Sequence, residues 1–312
     1  MKGLIFNEER VGRIFAMKNI ENLEKTLKIK VGELYFLAKS MDRYVSVEHK
    51  PKEDGKTRII YKPHYRLRSV QKQINKKILQ KIPLPDFFHG GIIGKSPKTN
   101  ALPHVGKPIL LTLDIRDFYP SIHYSRIYDV YKKIGCIPKV ARLLTRITTY
   151  NGCLAQGFPT SSSLANLILA RTSPRLEGLK LQHGITIGVY QDDLGISGGY
   201  RIPELINLFE KIMRQEGFFL HIGKKRKVMS RKTRQEITGY VVNRKVNVSK
   251  SYYRDIRAKL QLCKAIGIAP IAGDISVEEF MRQLRGKIQY VMDANPERGR
   301  NLLVEFEDLL FL

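Results

Sequence analysis

The chain has 312 residues, with 55 Lys and Arg against 29 Asp and Glu, so its formal net charge is +26. A surface this basic exceeds what solubility requires and attracts polyanions, which predicts nucleic acid as a partner. The 43% hydrophobic content excludes a disordered tail. The sequence has no run of about 18 apolar residues that would indicate a membrane span. Its three cysteines show no CxxC spacing, which excludes a disulfide framework and a zinc ribbon. We expect a cytoplasmic location and no membrane partner.

The N-terminal third combines helices with a basic ribbon. Apolar residues at mixed three and four spacings predict two short helices between Glu8 and Met41. YVSVEH and TRIIYKP flank PKEDGK, in which Asp54-Gly55 is a strong hairpin signal. A period of four then predicts a helix from Leu67 to Ile82.

The central and C-terminal patterns alternate strands and helices. PILLTLDI predicts a buried strand ending on Asp114, and the pair ITIGVY and LGISGG predicts two more strands. FFLHIG reads as a further strand, and EITGYVV with KVNVS reads as a hairpin. Helices are expected through Ile127 to Ile134, over 138–149, 161–181 and 203–216, and onward from Ser251, Val277 and Arg298.

The stretch VYQDDLGISGG places Asp192 and Asp193 between two of these strands. Aspartate is common in turns, so the pair fits a simple hairpin turn, and it fits half of a metal site equally well. If the strand ending on Asp114 is a neighbour, three carboxylates converge. Mg²⁺ prefers carboxylate oxygen and is usually shared with substrate phosphates, as nucleotidyl transfer requires.

Three segments occur in the order LLTLDIRDFYPSI, AQGFPTSSSLANLIL and VYQDDLGIS. They resemble motifs A, B and C of the palm of reverse transcriptases. TNALPHVGKP is similar to the NAxxH element that precedes motif A in bacterial retron reverse transcriptases, and ITG at Ile237 to Gly239 resembles their VTG element. TRIIYKP resembles the fingers motif. The similarity, which runs from about Lys52 to Leu260, identifies the chain as a retron-type reverse transcriptase, close to other phage-defence reverse transcriptases.

The resemblance implies an α+β right-hand polymerase: N-terminal helices and fingers over 1–107, an antiparallel palm backed by helices over 108–248, and a helical thumb over 249–312. The implied reaction is RNA-directed DNA synthesis from dNTPs with two Mg²⁺ ions. Implied partners are a structured non-coding RNA that is template and primer, the covalently attached DNA product known as msDNA, and an effector protein in antiviral defence.

Site residues follow from position and physics together. Asp114, Asp192 and Asp193 are the predicted catalytic and metal-binding carboxylates, while Asp117 is predicted to be structural. The predicted nucleotide-binding residues are Lys56, Arg58, Tyr119, Gln156 and Lys224, with Lys225 as a competitor for the last. The predicted nucleic-acid-binding residues are Gln156, Gly157, Asn100, His104 and Gly239.

Several features admit a plainer interpretation. Ser161 to Ser163 fit mainly a helix cap, and the run KKRKVMSRKTR fits a phosphate-contacting surface. GGIIGKS is not a phosphate-binding loop, because the required first glycine is His89. His104 has no second His or Cys at ligand spacing, which favours a hydrogen-bonded structural histidine over a metal ligand. Rival functions are a catalytically silent RNA-binding protein on the polymerase scaffold and a template-independent or DNA-templated polymerase.

Two positions depart from the retron pattern. Gln191 precedes the paired aspartates, where retron reverse transcriptases usually have alanine. His221 stands where asparagine is more common ahead of the motif D lysine. The first departure weakens the assignment to retrons against other defence reverse transcriptases, and it leaves the polymerase assignment intact.

Overall fold

The computed structural model describes residue 17 and residues 19–51, 55, 57–223 and 226–311. Its first helices are α1 (Ile20–Leu27) and α2 (Val31–Lys39), which bury leucines on one face, Leu23 and Leu34 among them. Two helices were predicted here, and both are present; residues 8–16 of that prediction lie outside the described residues.

A two-stranded ribbon follows, with β1 (Val45–Pro51) antiparallel to β2 (Thr57–Pro63). The hairpin prediction is confirmed, although residues 52–54 and 56 of its tip lie outside the described residues. Next come α3 (Tyr65–Lys77) and the short α4 (Pro97–Ala101), which starts in a capping box on Ser96. The helix predicted from Leu67 to Ile82 is shorter than predicted, because it ends at Lys77. A 3₁₀ turn at Leu79–Lys81 covers the last residues of the predicted range.

The central sheet contains β3 (Ile109–Asp114), β4 (Thr186–Tyr190), β5 (Asp193–Gly198) and β6 (Lys227–Ser230). Its order is β4-β5-β3-β6 and every pairing is antiparallel. The prediction of a strand in FFLHIG is wrong. That segment makes an isolated bridge between Leu220 and Ile115, just past the end of β3, while β6 pairs with the earlier residues of β3.

Five helices pack around this sheet: α5 (Tyr124–Lys133), α6 (Pro138–Thr148), α7 (Ser161–Leu169), α8 (Ser173–His183) and α9 (Ile206–Gln215). The single helix predicted over 161–181 is divided by a 3₁₀ turn at Ala170–Thr172. Pro174 explains the break, because it has no N–H to donate and is tolerated only in the first turn of a helix.

A small hairpin joins the sheet to the C-terminal helices. Strands β7 (Glu236–Ile237) and β8 (Tyr240–Val241) flank a turn in which Thr238 and Gly239 both have positive φ, at 46° and 84°. Both signs suit the twist of a two-residue hairpin. The predicted second strand KVNVS contributes only a bridge from Asn247 to Val241, so the hairpin is shorter than predicted.

The C-terminal helices are α10 (Lys250–Ile266), α11 (Ile268–Ala272), α12 (Val277–Ala294) and α13 (Pro296–Glu307). They form an apolar cluster of their own, separate from the core under the sheet. No helix within the described ranges is long and apolar enough to cross a membrane.

Polar contacts attach α12 to the rest of the chain. The Tyr240 hydroxyl donates to Oδ2 of Asp293 at 2.9 Å, and Nζ of Lys98 donates to the Asp293 carbonyl oxygen at 2.6 Å. The rings of Tyr240 and Tyr290 lie 4.8 Å apart. Asp293 is therefore a common anchor for the β7-β8 hairpin and for α4.

Candidate active site

The carboxylates meet at one edge of the central sheet. Asp114 ends β3 and stands directly opposite Asp193, which begins β5. The Asp192 carbonyl oxygen accepts a hydrogen bond of 2.9 Å from the backbone N–H of Ile115, which holds the two chain segments side by side. The prediction that these strands are neighbours is confirmed. The hairpin interpretation of Asp192 is confirmed as well, because Gln191 and Asp192 form the two-residue turn between β4 and β5.

Two cavities open on either side of these residues. The smaller, about 380 Å³, is lined by Asp114 and Asp192 together with Arg58, Tyr119 and Gln156, among others. The larger, about 960 Å³, is lined by Asp114 and Asp193 together with Arg226, Lys227 and Gly239, among others. Asp114 is a lining residue of both cavities.

The donor set suits a hard divalent cation. In the part of the chain that the structure describes, no three His, Cys, Asp or Glu side chains form a ready-made metal cluster. The predicted convergence of Asp114, Asp192 and Asp193 therefore holds for their backbone positions, and the three side chains are not grouped as a metal cluster. That arrangement fits Mg²⁺, which commonly takes one or two protein carboxylates and completes its shell with phosphates and water.

His221 lies against the same carboxylate. Its backbone N–H donates to the Asp114 carbonyl oxygen at 2.8 Å, and its ring Nε2 is 3.4 Å from Oδ1 of Asp114. His221, which stands where asparagine is more common, thus places its imidazole ring beside the Asp114 carboxylate. His221 also lines the smaller cavity.

The two adjacent aromatic residues after β3 have different environments. Phe118 is a core residue that packs on Phe218, with ring centroids 5.7 Å apart. Tyr119 lines the smaller cavity and is 9% exposed, and its burial raises the pKa of its hydroxyl. Phe118 lines the same cavity but is 3% exposed, so Tyr119 is the more accessible of the two rings.

Gln156 and Gly157 connect the sheet region to the ribbon. The Gln156 carbonyl oxygen accepts a 2.8 Å hydrogen bond from the Tyr61 N–H. Gly157 has φ +112°, and a Cβ at this position would lie 2.5 Å from the Tyr61 carbonyl oxygen. Glycine is required here by the close approach of β2. Arg58 of β2 is exposed and, like Gln156, lines the smaller cavity. The predicted Lys56 and Lys224, and the competitor Lys225, lie outside the described residues.

The prediction that Ser161 to Ser163 cap a helix is wrong. The N-cap of α7 is Thr160, which makes no side-chain capping bond. Instead the Ser161 hydroxyl donates to the Ala155 carbonyl oxygen at 2.5 Å, and the Ser162 hydroxyl lies 3.3 Å from the Tyr119 hydroxyl. The buried Ser161 thus holds the preceding loop, and the half-buried Ser162 contacts Tyr119 at the cavity wall.

Asn100 and His104 are buried, which contradicts their predicted contact with nucleic acid. They are 1% and 0% exposed, and Nδ1 of His104 is 2.7 Å from the Ser197 hydroxyl. Both pack behind the sheet, where a Cβ on Gly188 would lie 2.5 Å from Oδ1 of Asn100. Burial lowers the pKa of His104 to about 4, so it is neutral near pH 7. There they fill the space beneath β4 and β5, beside Gly188 and Gly195.

Gly239, the remaining predicted contact, has a different setting. It is exposed and lines the larger cavity beside Thr238. Two glycines of GGIIGKS pack closely: a Cβ on Gly90 would lie 2.6 Å from the Gln191 nitrogen, and one on Gly91 would lie 2.7 Å from the Ser162 Cβ. The segment thus packs against the turn at Gln191, which explains these two glycines without a phosphate ligand.

Comparison with known proteins agrees with this geometry. The family described as reverse transcriptase (RNA-dependent DNA polymerase) matches residues 50–246. The retron Ec86 reverse transcriptase of Escherichia coli is 29% identical over 299 residues, covering 92% of this chain and 93% of that protein. The retron Mx65 reverse transcriptase of Myxococcus xanthus is 30% identical over 329 residues, covering 97% of this chain and 75% of that protein.

The chain belongs to the retron-type reverse transcriptases. It is an RNA-directed DNA polymerase of a retron system, as the motif order predicted. Enzymes of this family use divalent metal ions and convert an RNA template into DNA. Its fold combines helices with antiparallel sheets, as expected for the polymerase fold.

Proposed function

We propose that this reverse transcriptase copies a cognate structured non-coding RNA into DNA by two-metal nucleotidyl transfer with Mg²⁺, and that Asp114, Asp192 and Asp193 are its catalytic carboxylates. The observation that carries the proposal is the cross-strand pair of Asp114 and Asp193 between two cavities. The smaller cavity would receive the dNTP and the larger one the primer terminus. Asp114 would then face both reactants.

The subdomains follow from this placement. Residues 1–107 would form the N-terminal helices and fingers, 108–248 the palm, and 249–312 the thumb. Support comes from the ribbon that reaches the smaller cavity through Arg58, and from the separate apolar cluster of the C-terminal helices. The Lys98 and Tyr240 contacts to Asp293 would hold the thumb beside the primer side of the palm.

The protein groups would act chiefly by binding and orientation. Arg58 would contact the triphosphate, and Gln156 with Gly157 would position the template base and the nucleotide. Lys56 and Lys224 are proposed for the triphosphate on sequence grounds, the latter also as a general acid for the leaving group. When bound, Mg²⁺ would lower the pKa of the attacking hydroxyl and neutralise charge on the leaving pyrophosphate.

The retron assignment extends the proposal to partners. The RNA would supply the template and a priming 2′-hydroxyl, giving a DNA covalently joined to RNA, and an effector protein would use that product in antiviral defence. The net charge of +26 supports a large RNA partner. The defence role is tested by phage plating on cells with and without the intact reverse transcriptase gene.

The decisive experiment offers the purified protein its copurifying RNA with Mg²⁺ and either dNTPs or NTPs. Incorporation of dNTPs into an RNA-linked, RNase-sensitive product is expected, and prior RNase treatment should prevent it. Incorporation that survives RNase treatment would indicate a template-independent polymerase. No incorporation with either nucleotide set would refute the catalytic proposal and leave an RNA-binding scaffold.

Tyr119 provides a prediction on sugar selection. Its ring lines the smaller cavity, where it would clash with a 2′-hydroxyl of the incoming nucleotide. Tyr119→Ala should therefore raise kcat/KM for NTPs relative to dNTPs by roughly a hundredfold, since about 2.7 kcal/mol of steric discrimination is removed. The measurement is single-nucleotide primer extension with each nucleotide set. Tyr65→Ala, which removes an exposed ring of α3 that lines neither cavity at Asp114, is the control and should leave the ratio unchanged.

A further inference from the structure

A third cavity, about 460 Å³, lies between α2, α5 and α6 and shares no lining residue with the two cavities at Asp114. Its floor contains the buried Leu143 and Thr145. Its volume is in the range of about 300–1,000 Å³ typical of sites for small ligands. The polymerase reaction proposed above gives it no role.

Tyrosines form one side of this cavity. Tyr124 and Tyr128 are four residues apart on α5 and so share a face, and Tyr35 of α2 completes the set. Tyr124 is 50% exposed, so its ring remains accessible to a ligand. Tyrosine rings offer flat apolar faces on which unpaired nucleobases of RNA stack.

Cations form the opposite rim. Lys139, Arg142 and Arg146 follow α6 at spacings of three and four, which places them on one face, and Lys39 lies at the end of α2. Among the residues that the structure describes, no carboxylate lines the cavity. Within the described ranges, none of these four cations forms an ion pair, so the positive charge of the rim is uncompensated.

We infer that this cavity binds an unpaired nucleotide of the RNA, with the base between the tyrosines and the flanking phosphates on the α6 cations. The inference rests on the RNA-directed activity and adds an RNA contact outside the catalytic cleft. Charge favours RNA over a protein partner, because four uncompensated cations and no acidic residue surround an aromatic pocket. Stacking supplies affinity for the base, and the cations supply affinity for the backbone.

The test uses the full chain and a short fluorescein-labelled oligouridylate. Tyr128→Ala should weaken binding about tenfold with an unchanged salt dependence, while Tyr128→Phe, which keeps the ring, should bind like the wild type. Arg142→Glu with Arg146→Glu should weaken binding and lower the slope of log affinity against log salt by roughly 1.4, which is about 0.7 for each lost phosphate contact.

Lys180→Glu with Lys211→Glu is the matched control, because it makes the same change of charge at exposed residues of α8 and α9. Equal affinities and slopes for this control and for the α6 variant would overturn the inference. The inference would also be overturned if variants of these tyrosines and cations lost binding to an acidic protein but bound oligouridylate as the wild type does. Extension of a preformed template-primer by Tyr128→Ala should match the wild type, which separates this site from the catalytic proposal.

A second observation concerns Gln191, the first residue of the catalytic turn. It has φ +58°, and its side chain passes over Gly90, where a Cβ would lie 2.7 Å from the Gln191 Cγ. The Tyr119 hydroxyl donates to Oε1 of Gln191 at 3.1 Å, and Nε2 of Gln191 donates to the Ser162 hydroxyl at 3.3 Å. Three side chains thus hold one another at the wall of the smaller cavity.

We propose that Gln191 is a positioning residue for sugar selection, acting through Tyr119. A ring fixed at its hydroxyl cannot rotate away from an incoming 2′-hydroxyl, so its steric effect is larger than that of an unrestrained ring. An alanine at this position, as is usual in the resembled family, has no side-chain amide to make these bonds. The proposal rests on the role given to Tyr119 above.

The comparison is between Gln191→Ala, Tyr119→Phe and the double variant, with dNTP and NTP extension measured for each. Each single variant should show a several-fold smaller preference for dNTPs. The double variant should lose no more than either single variant, because both substitutions remove the same hydrogen bond between Tyr119 and Gln191. Retained preference in Gln191→Ala would overturn the proposal. Failure of Tyr119→Ala to change the preference would instead refute the role of Tyr119 itself.

Discussion

Replacing Asp192 and Asp193 together by asparagine should lower DNA synthesis by roughly a thousandfold or more, equivalent to about 4 kcal/mol of transition-state free energy. Asparagine keeps the size of each side chain and removes its negative charge, which a divalent cation requires. RNA binding should persist, because it depends mainly on the basic surface. Primer extension and RNA affinity measured on the same preparation test both parts.

Asp117→Asn is the matched control for this prediction. Asp117 lines the same small cavity as Asp192, but its side chain is 73% exposed and its backbone has φ +47°, which asparagine also tolerates. The control should extend DNA at close to the wild-type rate. Persistent synthesis in the double aspartate variant, or equal loss in the control, would refute the assignment of the metal-binding carboxylates.

Gly188→Ala should destabilise the protein by about 2 kcal/mol, in the range typical of overpacking a dense interior. The added methyl group would lie 2.5 Å from Oδ1 of Asn100 and 2.8 Å from Nε2 of His104, both of which are buried. Neither side chain can move outward, since β4 and β5 lie on top of them. The measurement is the free energy of unfolding from urea titration.

A second variant shows whether the contact with Asn100 causes this loss. Asn100→Ala removes the side chain that the new methyl group would meet, so Gly188→Ala should cost less in that background than in the wild type. Gly286→Ala is the control: it lies inside α12 with nothing within 4 Å of an added Cβ, and it should not destabilise. Equal losses in both backgrounds would contradict the proposed clash.

Local signals in the sequence were sufficient for the centre of the site. The unbroken apolar run before Asp114 predicted a strand buried on both faces, and the paired aspartates between two β-rich runs predicted a hairpin turn. Both features depend on a few consecutive residues. The order of the motifs then indicated which strands are neighbours, and the pairing of Asp114 with Asp193 confirms it.

Other features depend on tertiary packing that no local pattern records. Lys227–Ser230 is a strand because it pairs with four residues of β3, while the more apolar FFLHIG meets the chain past the end of β3 in a single bridge. Asn100 and His104 were assigned to nucleic-acid binding from their place in the NAxxH element, which does not indicate burial. They are buried because the glycines at 188 and 195 leave space for them beneath the sheet. The role of Gln191 depends on a positive φ that glutamine rarely adopts.

The anchoring of α12 at Asp293 has a practical consequence for exchanging parts between relatives. The C-terminal helices keep their own apolar core, but they meet the remainder of the chain through Tyr290 and Asp293, which face Tyr240 and Lys98. A chimera joined near Ser249 would therefore need to transfer these four side chains as one compatible set. Matching only the residues at the junction would leave the transplanted helices correctly folded and wrongly docked.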